Sequence, residues 1–176
     1  HKPGVFTLER CRGCEHVFQN PRLSIAGLDF YYKDFYDGLG EDEMEMVFGF
    51  GTQPYIDRAL MVRSLGEAKR WLDVGAGHGH LCQAVREAFP GAELDGLDMS
   101  ESIDEAKRRG WVDTAYRGLF PELAPTFAGR YDAVTMSHYL EHTRDPRAEL
   151  AAANTALAPH GTLMIEVPDP EFALGK

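Results

Sequence analysis

From Arg70 onward the chain alternates two textures. Short apolar runs that read as buried strands (WLDVGA, ELDGLDM, TAYRG, YDAVTMS and GTLMIEVP) are separated by segments of helical composition. HLCQAVREAF reads as a helix ended by Pro90. SESIDEAKRRG follows with Ser100 placed to cap it and Gly110 to end it, and DPRAELAAANTALAP opens on Asp145 and Pro146 in the cap and first-turn places. PELAPTFAG is at best a broken helix. The order β-α-β-α-β-β-α-β with short connections predicts an α/β fold, a doubly wound, mostly parallel sheet with helices on both faces.

The chain before Gly66 has a different texture, rich in aromatic residues and glycine. IAGLDFYYKDFYDG and TQPYIDRALMVRSLG look helical, and the second places Ile56, Leu60, Met61 and Leu65 where they could form an apolar stripe lying on the sheet. Three parts follow: residues 1–23, an aromatic-rich helical segment at 24–66, and the α/β domain at 67–176. No internal repeat or low-complexity tract is visible.

A chain of 176 residues has room for one main core of ordinary size. No run approaches the roughly 18 apolar residues of a membrane span, and no signal-peptide pattern opens the sequence, so a soluble, cytoplasmic protein is expected. A first residue His1 in place of Met suggests a processed or trimmed chain. The formal net charge of −10, without a basic stripe, disfavours nucleic acid as the main partner and favours a small molecule. Three cysteines do not make a disulfide framework, and Cys82 reads as a small buried residue on a helix.

The first strand runs into DVGAGHG, with Gly75, Gly77 and Gly79 at every second position. Ligands of an open parallel sheet bind beyond the carboxyl ends of its strands, and bare backbone there lets a ligand approach closely. The spacing is not the G-x-G-x-x-G of a dinucleotide fingerprint, because His80 occupies the third glycine's place; no Lys-Ser/Thr pair of a P-loop follows either. With LDGLDMS, YDAVTMSHYLEH and LAPHGTLMIEVP in order, the segment from Trp71 to Pro168 resembles the class I S-adenosylmethionine-dependent methyltransferases.

That resemblance implies a Rossmann-like methyltransferase sheet and S-adenosylmethionine as cofactor. Carried onto this sequence, it implies that Asp73, Gly75, Ala76, Gly77 and Gly79 line the amino acid part of the cofactor, with Ser137 also at the cofactor site. Asp98 would hold the ribose hydroxyls, Met99 would pack on adenine, and Leu119 and Phe120 lie where the family often contacts the base, although GLF lacks the acid frequently found there. A full sheet of this class has further C-terminal strands, so a chain stopping at Lys176 implies a fragment or a curtailed fold.

Candidates for chemistry crowd SHYLEHTRDP, beyond the fourth strand. His138 and His142 lie four apart with Glu141 between them, so a helical turn would put both imidazoles on one face. Either histidine suits general-base work near neutrality. Two other readings stay open: a divalent metal held by His138, Glu141 and His142, which magnesium's preference for oxygen ligands disfavours, and a loop merely oriented by Glu141. Tyr31, Tyr32, Phe35 and Tyr36 put aromatic rings on more than one helix face, which suits either a lid over the acceptor or core packing.

ERCRGCEHVFQNPRLS resembles the end of a zinc ribbon found ahead of methyltransferases acting on sugars and secondary metabolites. Cys11 and Cys14 have the spacing of one zinc knuckle, but a second ligand pair is missing, and two free thiols of a ribbon remnant are the competing reading. The whole implies methyl transfer to a small-molecule acceptor, a sugar or secondary metabolite. The rivals are a degenerate module that binds the cofactor without turnover, a nucleotide-sugar or dinucleotide oxidoreductase, and a methyltransferase acting on RNA or protein.

Overall fold

A computed structural model describes residues 4–32 and 53–169. The chain divides into two compact units, His1–Phe48 with Asp169–Lys176, and Gly49–Pro168. Phe35 and Tyr36 lie outside the described residues.

In the first unit, β1 (Leu8–Arg10) and β2 (Val17–Gln19) form an antiparallel hairpin with Glu9 opposite Phe18. Its tip is closed by the Cys11 amide donating to the His16 carbonyl at 2.8 Å, with Glu15 in the left-handed region at φ 61°. Helix α1 (Ile25–Tyr32) follows.

The second unit opens with α2 (Gln53–Arg63) and continues as β3 (Arg70–Val74), α3 (His80–Ala88), β4 (Glu93–Asp98), α4 (Ser102–Arg108) and β5 (Thr114–Arg117). After α5 (Phe120–Leu123) and a 3-10 turn at Ala124–Phe127 come β6 (Tyr131–Ser137), a 3-10 turn at Leu140–His142, α6 (Pro146–Ala156) and β7 (Leu157–Glu166). The sheet order is β5-β4-β3-β6-β7, all parallel, so the strand order reverses beside β3. That reversal opens a crevice at the carboxyl ends of β3 and β6.

The strands are nearly continuous apolar runs because both sheet faces are covered. One face packs Trp71, Leu94 and Ala133 against Ala59, Val62, Cys82, Val85 and Ile103 of α2, α3 and α4. The other packs Leu72, Val74 and Met136 against Phe120, Phe127 and the small face Ala152, Ala153 and Ala156 of α6. Asp145 caps α6, its Oδ1 accepting from the amides of Arg147 and Ala148 at 3.0 and 3.2 Å.

Three details differ from the sequence reading. The expected stripe is not the buried face of α2: Ile56 is half-buried, Leu60 and Met61 are 42 and 63% exposed, and Leu65, past the helix end, is 70% exposed, while Ala59 and Val62 are buried against α3. Ser100 does not cap α4, which starts at Ser102; its amide and hydroxyl are both drawn to Asp98. Strand β7 begins at Leu157, inside the stretch expected to end the preceding helix. It carries a bulge there: Tyr131 pairs with Leu157 and Ala133 with Thr162, so Ala158 to Gly161 stand opposite Asp132 alone.

Candidate functional site

The glycine loop folds back onto the end of β4, the amides of Gly75 and Ala76 donating to the Leu97 carbonyl at 2.8 and 3.1 Å. All three glycines have left-handed backbone, φ 75° at Gly75, 52° at Gly77 and 85° at Gly79, but they are bare for different reasons. A Cβ on Gly75 would stand 2.5 Å from the Tyr139 ring, and one on Gly79 would stand 2.6 Å from the Cβ of Ala106. A Cβ on Gly77 would meet nothing within 4 Å. Gly79 therefore serves helix packing, and Gly77 borders open space.

Asp98, last residue of β4, faces that loop. Its Oδ2 accepts the Gly77 amide at 2.9 Å, and its Oδ1 accepts the amide and hydroxyl of Ser100, each at 2.8 Å. A carboxylate offers roughly four acceptor positions, so Oδ2 keeps capacity for one further donor. Met99 and Leu119 beside it are 66 and 38% exposed. Phe120, at the first turn of α5, has its side chain fully buried in the core with Leu72 and Phe127.

Asp73 is buried under the same loop. Thr135 donates its hydroxyl to Oδ1 at 2.6 Å, and the Cys82 thiol donates to Oδ2 at 3.4 Å. Burial pushes this carboxyl up to about 6; the Thr135 and Cys82 hydrogen bonds oppose the rise and nearby Asp98 adds to it. Cys82 is the buried residue the sequence suggested, its thiol pushed well up by burial and by Asp73.

Beyond β6, the two histidines do not share one helical turn. Leu140–His142 is a 3-10 turn, and His138 precedes it in the left-handed region at φ 52°. The two imidazoles nevertheless share a neighbour, since Glu141 Oε1 lies 3.5 Å from Nδ1 of His138 and 3.7 Å from Nε2 of His142. Tyr139 turns inward, its ring on Gly75 and its hydroxyl donating to Glu149 at 3.0 Å; burial, with Glu149 beside it, pushes this phenol well up.

Two residues the sequence did not single out complete the cluster. Glu166, last residue of β7, receives both sides of the Arg58 guanidinium, Nη2 to Oε1 at 2.7 Å and Nε to Oε2 at 2.5 Å. It also accepts the Ser137 hydroxyl at 2.6 Å, so the side chain expected at the cofactor is engaged with Glu166. Burial raises the Glu166 carboxyl, but hydrogen bonds from Arg58 and Ser137 outweigh it and leave the group below the ordinary range. Arg58 lies over the Tyr55 ring, 5.1 Å from its centroid, and Tyr55 stacks on His80 at 5.9 Å, which ties the start of α2 to the start of α3.

Among the described residues no group of three or more His, Cys, Asp or Glu side chains is arranged to hold a metal ion. Cys11 and Cys14 supply two thiols where tetrahedral zinc takes four ligands, so the described residues do not fit that metal. The Cys11 thiol is held below its ordinary range by hydrogen bonds from the amides of Cys14 and Gly13 and from the Cys14 side chain. No helix among the described residues is long and apolar enough to cross a membrane.

The curated relatives include a ubiquinone biosynthesis O-methyltransferase of Bordetella avium, 38% identical over 54% of this chain and 41% of its own length. The namesake of Marinobacter nauticus is 37% identical over 63% of this chain and 47% of its own length, so the chain spans under half of either relative. Among solved structures, the amino pentose methyltransferase CalS10 of Micromonospora echinaspora superposes with TM-score 0.58 at 24% identity, covering 79% of this chain and 56% of CalS10. An O-methyltransferase family protein of Burkholderia thailandensis gives TM-score 0.59 at 21% identity, over 80% of this chain and 43% of its own. These two likenesses share the fold. Residues 52–176 match the family described as "Methyltransferase domain", and the chain belongs to that family.

Proposed function

We propose that this domain binds S-adenosylmethionine and transfers its methyl group to a hydroxyl of a small-molecule acceptor. The observation that carries the reading is Asp98: a carboxylate anchored to the Gly77 amide beside open space, with acceptor capacity left on Oδ2. The residues fit the cofactor that the family implies. Asp98 would take a ribose hydroxyl, with Ser100 yielding its place to the second; Met99 and Leu119 offer exposed apolar contact for adenine. Gly75, Ala76 and Gly77 supply backbone for the amino acid end, and the buried Asp73 carboxyl lies beneath it.

When bound, S-adenosylmethionine supplies an electrophilic methyl on a sulfonium. The chain's own residues then position the acceptor, exclude water and take up the hydroxyl proton. His138 or His142 is the base, with Glu141 close to both. An oxygen acceptor is supported by relatives named O-methyltransferases; a sugar or secondary metabolite is the narrower form of the same proposal.

Calorimetric titration with S-adenosylhomocysteine, comparing the wild-type chain with Asp98→Ala, tests the reading. One-site binding weakened by about tenfold or more in the variant is expected from loss of charged hydrogen bonds. A folded wild-type chain that binds nothing overturns it, and binding without methyl transfer to any acceptor favours a non-catalytic module.

A further inference from the structure

The last strand holds the first of the two candidate bases. The residue before His138 and His138 itself are both tied to Glu166. The His138 amide donates to the Glu166 carbonyl at 3.0 Å, and the Ser137 hydroxyl donates to the Glu166 carboxylate at 2.6 Å. The same carboxylate lies 3.9 Å from Nε2 of His138, while Glu141 lies 3.5 Å from Nδ1, so each ring nitrogen faces a carboxylate.

His138 holds this place with φ 52°, a left-handed conformation uncommon for residues with a side chain, though histidine takes it more readily than most. Arg58 in turn holds Glu166. A bidentate guanidinium fixes the plane of the carboxylate, and the pair is only partly exposed, with side chains at 19 and 32%. Tyr55 in turn braces Arg58 from the same helix.

We propose that Glu166, clamped by Arg58, is a positioning residue for His138, holding in place the end of β6 that presents this imidazole as a base. The inference rests on the acid-base reading given above. In the step it serves, the acceptor hydroxyl gives its proton to the His138 imidazole as its oxygen forms the new bond to carbon. The carbon–sulfur bond breaks with its electron pair left on sulfur, so no other reactant is needed.

Nitrogen-15 spectra of the histidine rings and amide hydrogen exchange, recorded on the ligand-free chain, test the positioning directly. Glu166→Gln keeps the main-chain carbonyl that accepts the His138 amide, and is expected to shift the His138 ring signals and, by loosening the end of β7, to speed exchange of that amide. His160, within the bulge at the other end of β7, should keep its signals. Arg58→Gln should change His138 in the same direction by a smaller amount, and it decides the matter if Glu166→Gln does not fold. His138 signals and exchange unchanged in both variants, or His142 changing in place of His138, overturn the proposal. Absence of S-adenosylhomocysteine binding by the wild-type chain would sink the functional reading alone, because the histidine spectra need no ligand.

Discussion

Asp73 is a carboxyl whose folded environment resists ionisation. Burial holds it at about 6 against an ordinary 3.8, since two hydrogen bonds do not offset lost hydration. Below about pH 4 the group is protonated in both folded and unfolded chains. As pH rises the unfolded chain ionises first, so the stabilisation present at low pH is lost as pH passes through about 6. A shift of about two units corresponds to roughly 3 kcal/mol. Asp73→Asn should therefore remove a fall of that order between about pH 4 and about pH 8 in urea unfolding of the ligand-free chain. Equal falls in wild type and variant would show that the carboxyl is not raised. Asp73 and Asp98 could be singled out in the sequence because each ends or nearly ends an apolar strand run. Glu166 and Arg58 could not, since they pair across 108 positions of sequence; LAPHGTLMIEVP contains Glu166 but gives no sign of its partner.

At the scale of elements, the glycine loop is also a packing device. Gly79 starts α3 where α4 presses closest, with φ 85° and 2.6 Å between a built Cβ and that of Ala106. Gly79→Ala thus combines strained backbone with an overlap that one of two helices must relieve. A loss of about 2–3 kcal/mol is expected from urea midpoints, part of it regained by Ala106→Gly in the same chain. A variant as stable as wild type would show that the helices can move apart freely. The strands were legible because burial on both faces leaves continuous apolar runs, and α6 because Asp145 and Pro146 mark its start. The buried face of α2 was misread because it is built on Ala59 and Val62, while the larger Leu60 and Met61 face outward.

Over the whole molecule, the order of motifs from Trp71 to Pro168 was enough to read the parallel sheet and its crevice, since a topology of this kind puts its loops at one end. The role of the turn at His138 was not readable, because a left-handed residue leaves no periodic trace. The bulge in β7 has a consequence for behaviour in concentrated solution. Among the described residues β7 has a sheet neighbour on one side only, and an open strand edge is a template onto which a second chain can add. Pro159 lacks an amide hydrogen, His160 turns at φ 68°, and together they interrupt what would otherwise be a long flat border. Deleting Ala158, Pro159 and His160 would straighten that border into an unbroken row of donors and acceptors. The shortened chain is expected to scatter light increasingly with concentration where the parent stays clear; equal scattering would mean that the bulge does not guard against self-assembly.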